Sequence, residues 1–187
     1  MNKYIKKIFI LTAILLITFS TVVLASTVPY LSNMVKINLT ISSPVVINEI
    51  GYRGAPEEEF VELYNLSSDP INLNGWKIQD NKEEDVLISF EEGGSTIIPA
   101  GGYAVITANE TNVVVPEGVI HLSTGDKRIG NGLADGDDIV ILKSPDGKIM
   151  DQKGYSQNPC EGGEKYSYQK MNGDWECKVP SPGASNI

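Results

Sequence analysis

The chain has 187 residues, enough for one ordinary domain, and 24 acidic residues against 15 Lys and Arg give it a formal net charge of −9. A surface of that sign repels phosphate backbones, whose affinity for proteins comes from Lys and Arg displacing counterions, so neither nucleic acid nor anionic lipid is expected as a partner. Two cysteines and one histidine do not complete the four-ligand shell of a structural zinc site.

The N-terminus opens Met-Asn-Lys-Tyr-Ile-Lys-Lys and then runs from Ile8 to Ala25 without a charge. Lys3, Lys6 and Lys7 make a basic region, an apolar core follows, and Val23 and Ala25 put small residues at the −3 and −1 positions of a signal peptidase site. Residues 1–25 therefore read as a signal peptide or, because an apolar stretch of this length also spans a bilayer, as an N-terminal membrane anchor helix. Either version places the remainder outside the cytoplasm, secreted or held at the cell surface, with membrane contact only through an uncleaved anchor. Beyond residue 25, 12 basic residues stand against 24 acidic ones, a charge of −12. Residues 26–43 carry Ser, Thr, Asn and Pro without helical periodicity and read as a spacer.

From Pro44 onward, short apolar segments rich in Val, Ile and Tyr are punctuated by Gly, Pro, Asn and Asp, the pattern of an all-β sandwich. Strands are expected near 45–50, 60–65, 75–80, 86–90, 103–108, 119–123, 139–143, 148–155, 165–170 and 174–178. Alternation turns Val61 and Leu63 toward the core and Glu62 outward, and it puts Trp76 and Ile78 on one face with Lys77 and Gln79 on the other. Asn172-Gly173 suits a type I′ turn, which sets the register of the last hairpin: Met171 opposite Asp174 and Tyr168 opposite Cys177. Two cysteines in an exported domain pair more often than they stay free, so Cys160 and Cys177 are expected to form a disulfide.

Catalytic signals are sparse. His121 is the one histidine, on a strand and opposite in face to Ile120 and Leu122, and reads as an exposed or hydrogen-bonded strand residue. Gly125-Asp-Lys-Arg-Ile-Gly130 begins like a phosphate loop, but Asn131 and Gly132 stand where Lys and Ser or Thr are required. Acidic pairs such as Glu49 with Glu62 satisfy the bare requirement of a glycosidase, although solvated surface acids are the simpler reading. Asp135, Asp137 and Asp138 form the densest acidic turn and are candidate calcium ligands, against the ordinary use of Asp and Gly in tight turns. No other cofactor is indicated. Sequons make Asn38, Asn65 and Asn109 candidate glycosylation sites on exposed loops or strand ends.

Several segments together resemble the lamin-tail domain family: Val-Val-Ile-Asn-Glu-Ile at 45–50, Glu-Phe-Val-Glu-Leu-Tyr-Asn at 59–65, and Ile-Asn-Leu-Asn-Gly-Trp-Lys-Ile-Gln-Asp at 71–80. Ile-Pro-Ala-Gly-Gly-Tyr-Ala-Val-Ile at 98–106, the run 131–142 and the closing Pro-Gly-Ala-Ser-Asn at 182–186 complete the likeness. It covers residues 44–187. The resemblance implies an immunoglobulin-like antiparallel β-sandwich with Trp76 as its large core aromatic, in an exported or surface module, and brings no catalytic residues. The nuclear lamins' coiled-coil rod has no counterpart here. The expected function is thus non-catalytic binding or structure at the cell surface or envelope, with a protein or glycan as partner. The alternative is an accessory domain or weak hydrolase using acidic residues with a divalent metal.

Overall fold

β-Branched and aromatic residues fit a pleated, half-buried surface, and Gly, Pro, Asn and Asp supply the turns between such runs. A computed structural model describes residues 43–186, apart from Arg53 and residues 161–164, and there the chain forms thirteen strands and one 3-10 turn at Pro56–Glu58. The signal or anchor segment 1–25, the spacer up to residue 42 and Asn38 lie outside the described residues.

The larger sheet runs, edge to edge, Asp174–Lys178 (β13), Ser167–Met171 (β12), Val45–Gly51 (β1), Phe60–Asn65 (β2), Tyr103–Thr107 (β8), Ile120–Ser123 (β9) and Ile88–Ser89 (β6). The second sheet is Ile149–Tyr155 (β11), Asp138–Lys143 (β10), Lys77–Gln79 (β4) and Glu84–Val86 (β5), and Ile71–Asn72 (β3) pairs with Ile97–Ile98 (β7). One buried cluster joins both sheets: Val61 and Leu63 from β2 pack with Trp76, Ile78, Val140 and Leu142. Each large aliphatic side chain so buried contributes about 1.5–3 kcal/mol. The expected all-β sandwich is therefore the fold, with Trp76, Val61 and Leu63 in its core.

The last hairpin keeps the register its turn dictates, Met171 opposite Asp174 and Tyr168 opposite Cys177. Asn172 and Gly173 take φ values of 50° and 97°, the paired positive angles of a type I′ turn. Cys160 and Cys177 are joined by a disulfide with Cα atoms 5.3 Å apart, tying the loop before β12 to the outgoing strand.

Four features depart from the strand pattern read in the sequence. The pair β8–β9 is parallel, so the larger sheet is mixed rather than wholly antiparallel, and residues 108–119 provide the long crossover such a pair needs. The stretch 86–90 is not one strand: β5 belongs to the smaller sheet and β6 to the larger, with buried Leu87 at the corner between them, its N–H donating to Trp76 O. The two-residue strands β3 and β7 are too short to show a period. Finally, β1 carries a bulge: Ile47 pairs with Leu63 and Glu49 with Glu62, leaving Asn48 extra, and the Ile47 N–H donates to Asp151 Oδ2 instead (2.9 Å). The bulge turns Glu49 away from the core and sets it beside Glu62.

Candidate functional site

Glu62 alternates with Val61 and Leu63 and so points to the outer face of the larger sheet, yet that face is not open there and Glu62 is fully buried. The register aligns Gln169, Glu49, Glu62, Val105 and His121 in one row across five strands. Residues 179–186, following β13, cross this row as a strap. Ser181 N and Oγ donate to Glu49 (both 3.0 Å), the Gly183 N–H donates to Glu62 Oε2 (2.6 Å), and Ser185 meets the Tyr103 hydroxyl (3.2 Å). Asn186 donates to Asn48 O and Lys170 O, and Asn48 Nδ2 donates to Glu62 Oε1 (2.7 Å). From β12, Ser167 Oγ (2.5 Å) and Gln169 Nε2 (3.2 Å) complete the shell of Glu49.

The expectation of a solvated, outward Glu62 is thus corrected, because a segment about 120 residues away in sequence covers it. Asn-Glu-Ile, Phe-Val-Glu-Leu and the terminal Pro-Gly-x-x-Asn, separate in sequence, converge here on one hydrogen-bonded cluster. Gly183 is required at its position: φ is +84°, and a Cβ would lie 2.8 Å from Pro116 Cδ. Burial raises both carboxyls, Glu62 to about 8, against the opposing pull of their donors. Covered in this way, the pair is not a glycosidase couple flanking an open substrate cleft.

The acidic loop is also built from the inside. Asp138 Oδ1 accepts the N–H groups of Asn81 (3.2 Å) and Ile139 (2.8 Å), and its Oδ2 accepts that of Ala134 (2.9 Å). Asp137 accepts from the Gln157 N–H (2.8 Å), while Asp135 is exposed. Asp80 takes the amides of Lys82, Glu83 and Asn131, and Asp85 takes that of Gly130. A calcium cage needs carboxylate and carbonyl oxygens turned inward, whereas this loop offers the carboxylates N–H donors. Asp135, Asp137 and Asp138 are not brought to a common centre, and among the described residues no three acidic, histidine or cysteine side chains are placed to hold a metal.

His121 is half-buried, stacked on Phe90 with ring centroids 3.9 Å apart, and its Nε2 meets Thr107 Oγ1 at 2.9 Å. That hydroxyl donates to Ala108 O, so the ring nitrogen is assigned as the donor to it. Burial pulls the imidazole pKa down, keeping it neutral. His121 is hydrogen-bonded, and the hydroxyl beside it is no activated nucleophile.

Asn65, a candidate glycan acceptor, is buried. Its Nδ2 donates to Asp69 O (2.8 Å) and Pro99 O (3.0 Å), and its Oδ1 accepts from Ser67 N and Oγ. A glycan would have to take the same nitrogen, so this reading of the sequon is corrected, whereas Asn109 is exposed. Replacing Asn65 by Ala is expected to destabilise the domain by about 2 kcal/mol, measured by urea unfolding, because buried backbone carbonyls lose their donor. Expression in a glycosylating host is expected to leave Asn65 bare.

Beside the strap lies an open groove of about 460 Å³, walled by Phe60, Val113, Val114, Tyr166, Pro180 and Pro182, with Glu58 and Lys165 also lining it. Val114 is 82% exposed there. No sequence signal marked this groove, since residues from β2, the 108–119 crossover and the strap meet only in the fold.

Two sheets around one core, with Trp76 inside and a mixed larger sheet, define an immunoglobulin-like β-sandwich. The Lamin Tail Domain family model matches residues 40–157, more than half of the chain, and the chain belongs to that family. No curated protein matches the chain. The family match ends before β12, so β12, β13 and the strap lie beyond it.

Proposed function

We propose that this lamin tail domain is an exported binding or structural module, non-catalytic, acting at the cell surface or envelope on a protein or glycan partner. The groove beside the strap carries this reading: it gathers exposed apolar and aromatic side chains at one place on a strongly acidic domain. The buried acids support it, because Glu49, Glu62, Asp80 and Asp138 spend their oxygens on backbone and side-chain donors. A charge of −12 beyond residue 25 favours a neutral or basic partner over the Debye length of about 8–10 Å in physiological salt.

A photo-crosslinking residue at position 114 of the full chain, expressed in the producing cells, tests this. A discrete adduct is expected from position 114 and not from the exposed position 149 on β11. Equal adducts from both positions would contradict the groove. Turnover of a glycosidic, ester, phosphodiester or peptide substrate, lost on replacing one acid or His121, would replace the binding reading with the hydrolase one.

A further inference from the structure

We propose that the C-terminal strap is a proton-controlled latch, closed over the outer sheet face while the Glu49–Glu62 pair holds a proton and lifted when both carboxyls are charged. Glu49 and Glu62 stand directly opposite each other on neighbouring antiparallel strands, and both side chains are fully buried. Like charges in that position repel, and a buried charge without a counterion is costly.

Among the described residues, the groups around the pair offer no counterion. Strand β12 supplies Ser167 and Gln169, β1 supplies Asn48, β8 supplies Val105, and the strap supplies Ser181 and the Gly183 N–H, all uncharged. Farther along the same row, Glu176 of β13 stands opposite Gln169 and pairs with Lys178 at 3.2 Å, and His121 of β9 is engaged with Thr107. Among the described residues neither glutamate is in a salt bridge. One retained proton relieves the repulsion.

The strap, for its part, is held mainly by polar contacts. Ser181, Pro182, Gly183 and Asn186 are half-buried, the other residues of 179–186 are exposed, and none is fully buried. With no fully buried residue, such a segment lies at the low end of local stability. It leaves β13 after Cys177, whose disulfide to Cys160 anchors the hairpin when the strap lifts.

The direction follows from linkage. Burial raises both carboxyls, Glu62 from 4.5 to about 8, so the closed form binds the proton more tightly than the open, water-exposed form. The latch is tightest below the ordinary carboxyl range, loosens progressively as pH rises above it, and has lost that contribution fully beyond about pH 8. Pro180 and Pro182 wall the groove, so lifting the strap also dismantles the groove. Only this last consequence rests on the binding reading.

Amide hydrogen exchange in the full chain, followed by NMR from pH 5 to 9 and corrected for base catalysis, tests the latch without any partner. Protection of the Ser181 and Gly183 amides is expected to fall about tenfold or more beyond any fall at Val61 and Leu63, and Glu62→Gln is expected to remove that difference. Strap protection that stays flat, or that only tracks Val61 and Leu63, would overturn the proposal. An undiminished fall in Glu62→Gln would do the same. Should that variant not fold, the wild-type profile decides, and Glu49→Gln supplies the second variant.

Discussion

Replacing Trp76 by Ala is expected to cost about 3–5 kcal/mol of unfolding free energy, the range for truncating a large core aromatic. Trp76 is 8% exposed and belongs to the cluster that joins the two sheets. Its backbone reinforces the position, with its N–H donating to Leu73 O and its carbonyl accepting from Leu87 at the corner where the chain changes sheets. A cavity there would therefore loosen both the packing and the crossing, and relaxation from either side is restricted by ladder hydrogen bonds. Denaturant unfolding of the Ala variant measures the loss. Less than about 1 kcal/mol would mean that the indole is not between the sheets.

Opening the Cys160–Cys177 disulfide, by reduction or by a double Ser substitution, is expected to cost about 3 kcal/mol, the loop-closure value for a separation of 17 residues. Cys160 is fully buried and Cys177 lies on edge strand β13, so the bond holds an edge hairpin that otherwise has one neighbouring strand. Thiol titration of the native protein should find no reactive thiol, and titration after reduction should find two. Such bonds persist outside the reducing cytoplasm, which points to an extracytoplasmic location.

What the sequence reveals here depends on how local the determining physics is. The period-2 alternation of Phe-Val-Glu-Leu-Tyr fixes which face Val61 and Leu63 take, and the Asn172-Gly173 turn fixes a register because two residues decide it. The burial of Glu62 is not local. Alternation correctly sends it to the outer face, but whether that face meets water depends on residues 181–186. The bulge at Asn48 breaks the count that would have turned Glu49 inward, and nothing in Val-Val-Ile-Asn-Glu-Ile announces it. The parallel β8–β9 pair likewise follows from the crossover's path, not from either strand's composition. For the acidic turn, abundance suggested a cation, whereas the geometry uses Asp80, Asp85 and Asp138 to satisfy loop amides. Gly130 shows how tightly, since at φ +57° a Cβ there would sit 2.3 Å from the Asp80 carboxylate.

Glu49, Glu62, Asp80 and Asp138 serve this domain as internal acceptors, and Glu49 and Glu62 hold the strap. Carboxyl-carbon NMR titration of Glu62 in the full chain tests that most directly. Burial under the strap predicts a midpoint near 8, unchanged by millimolar calcium. A midpoint at the ordinary value near 4.5, or one that calcium pulls down, would show a carboxylate open to water or to a metal and would contradict this role of Glu62.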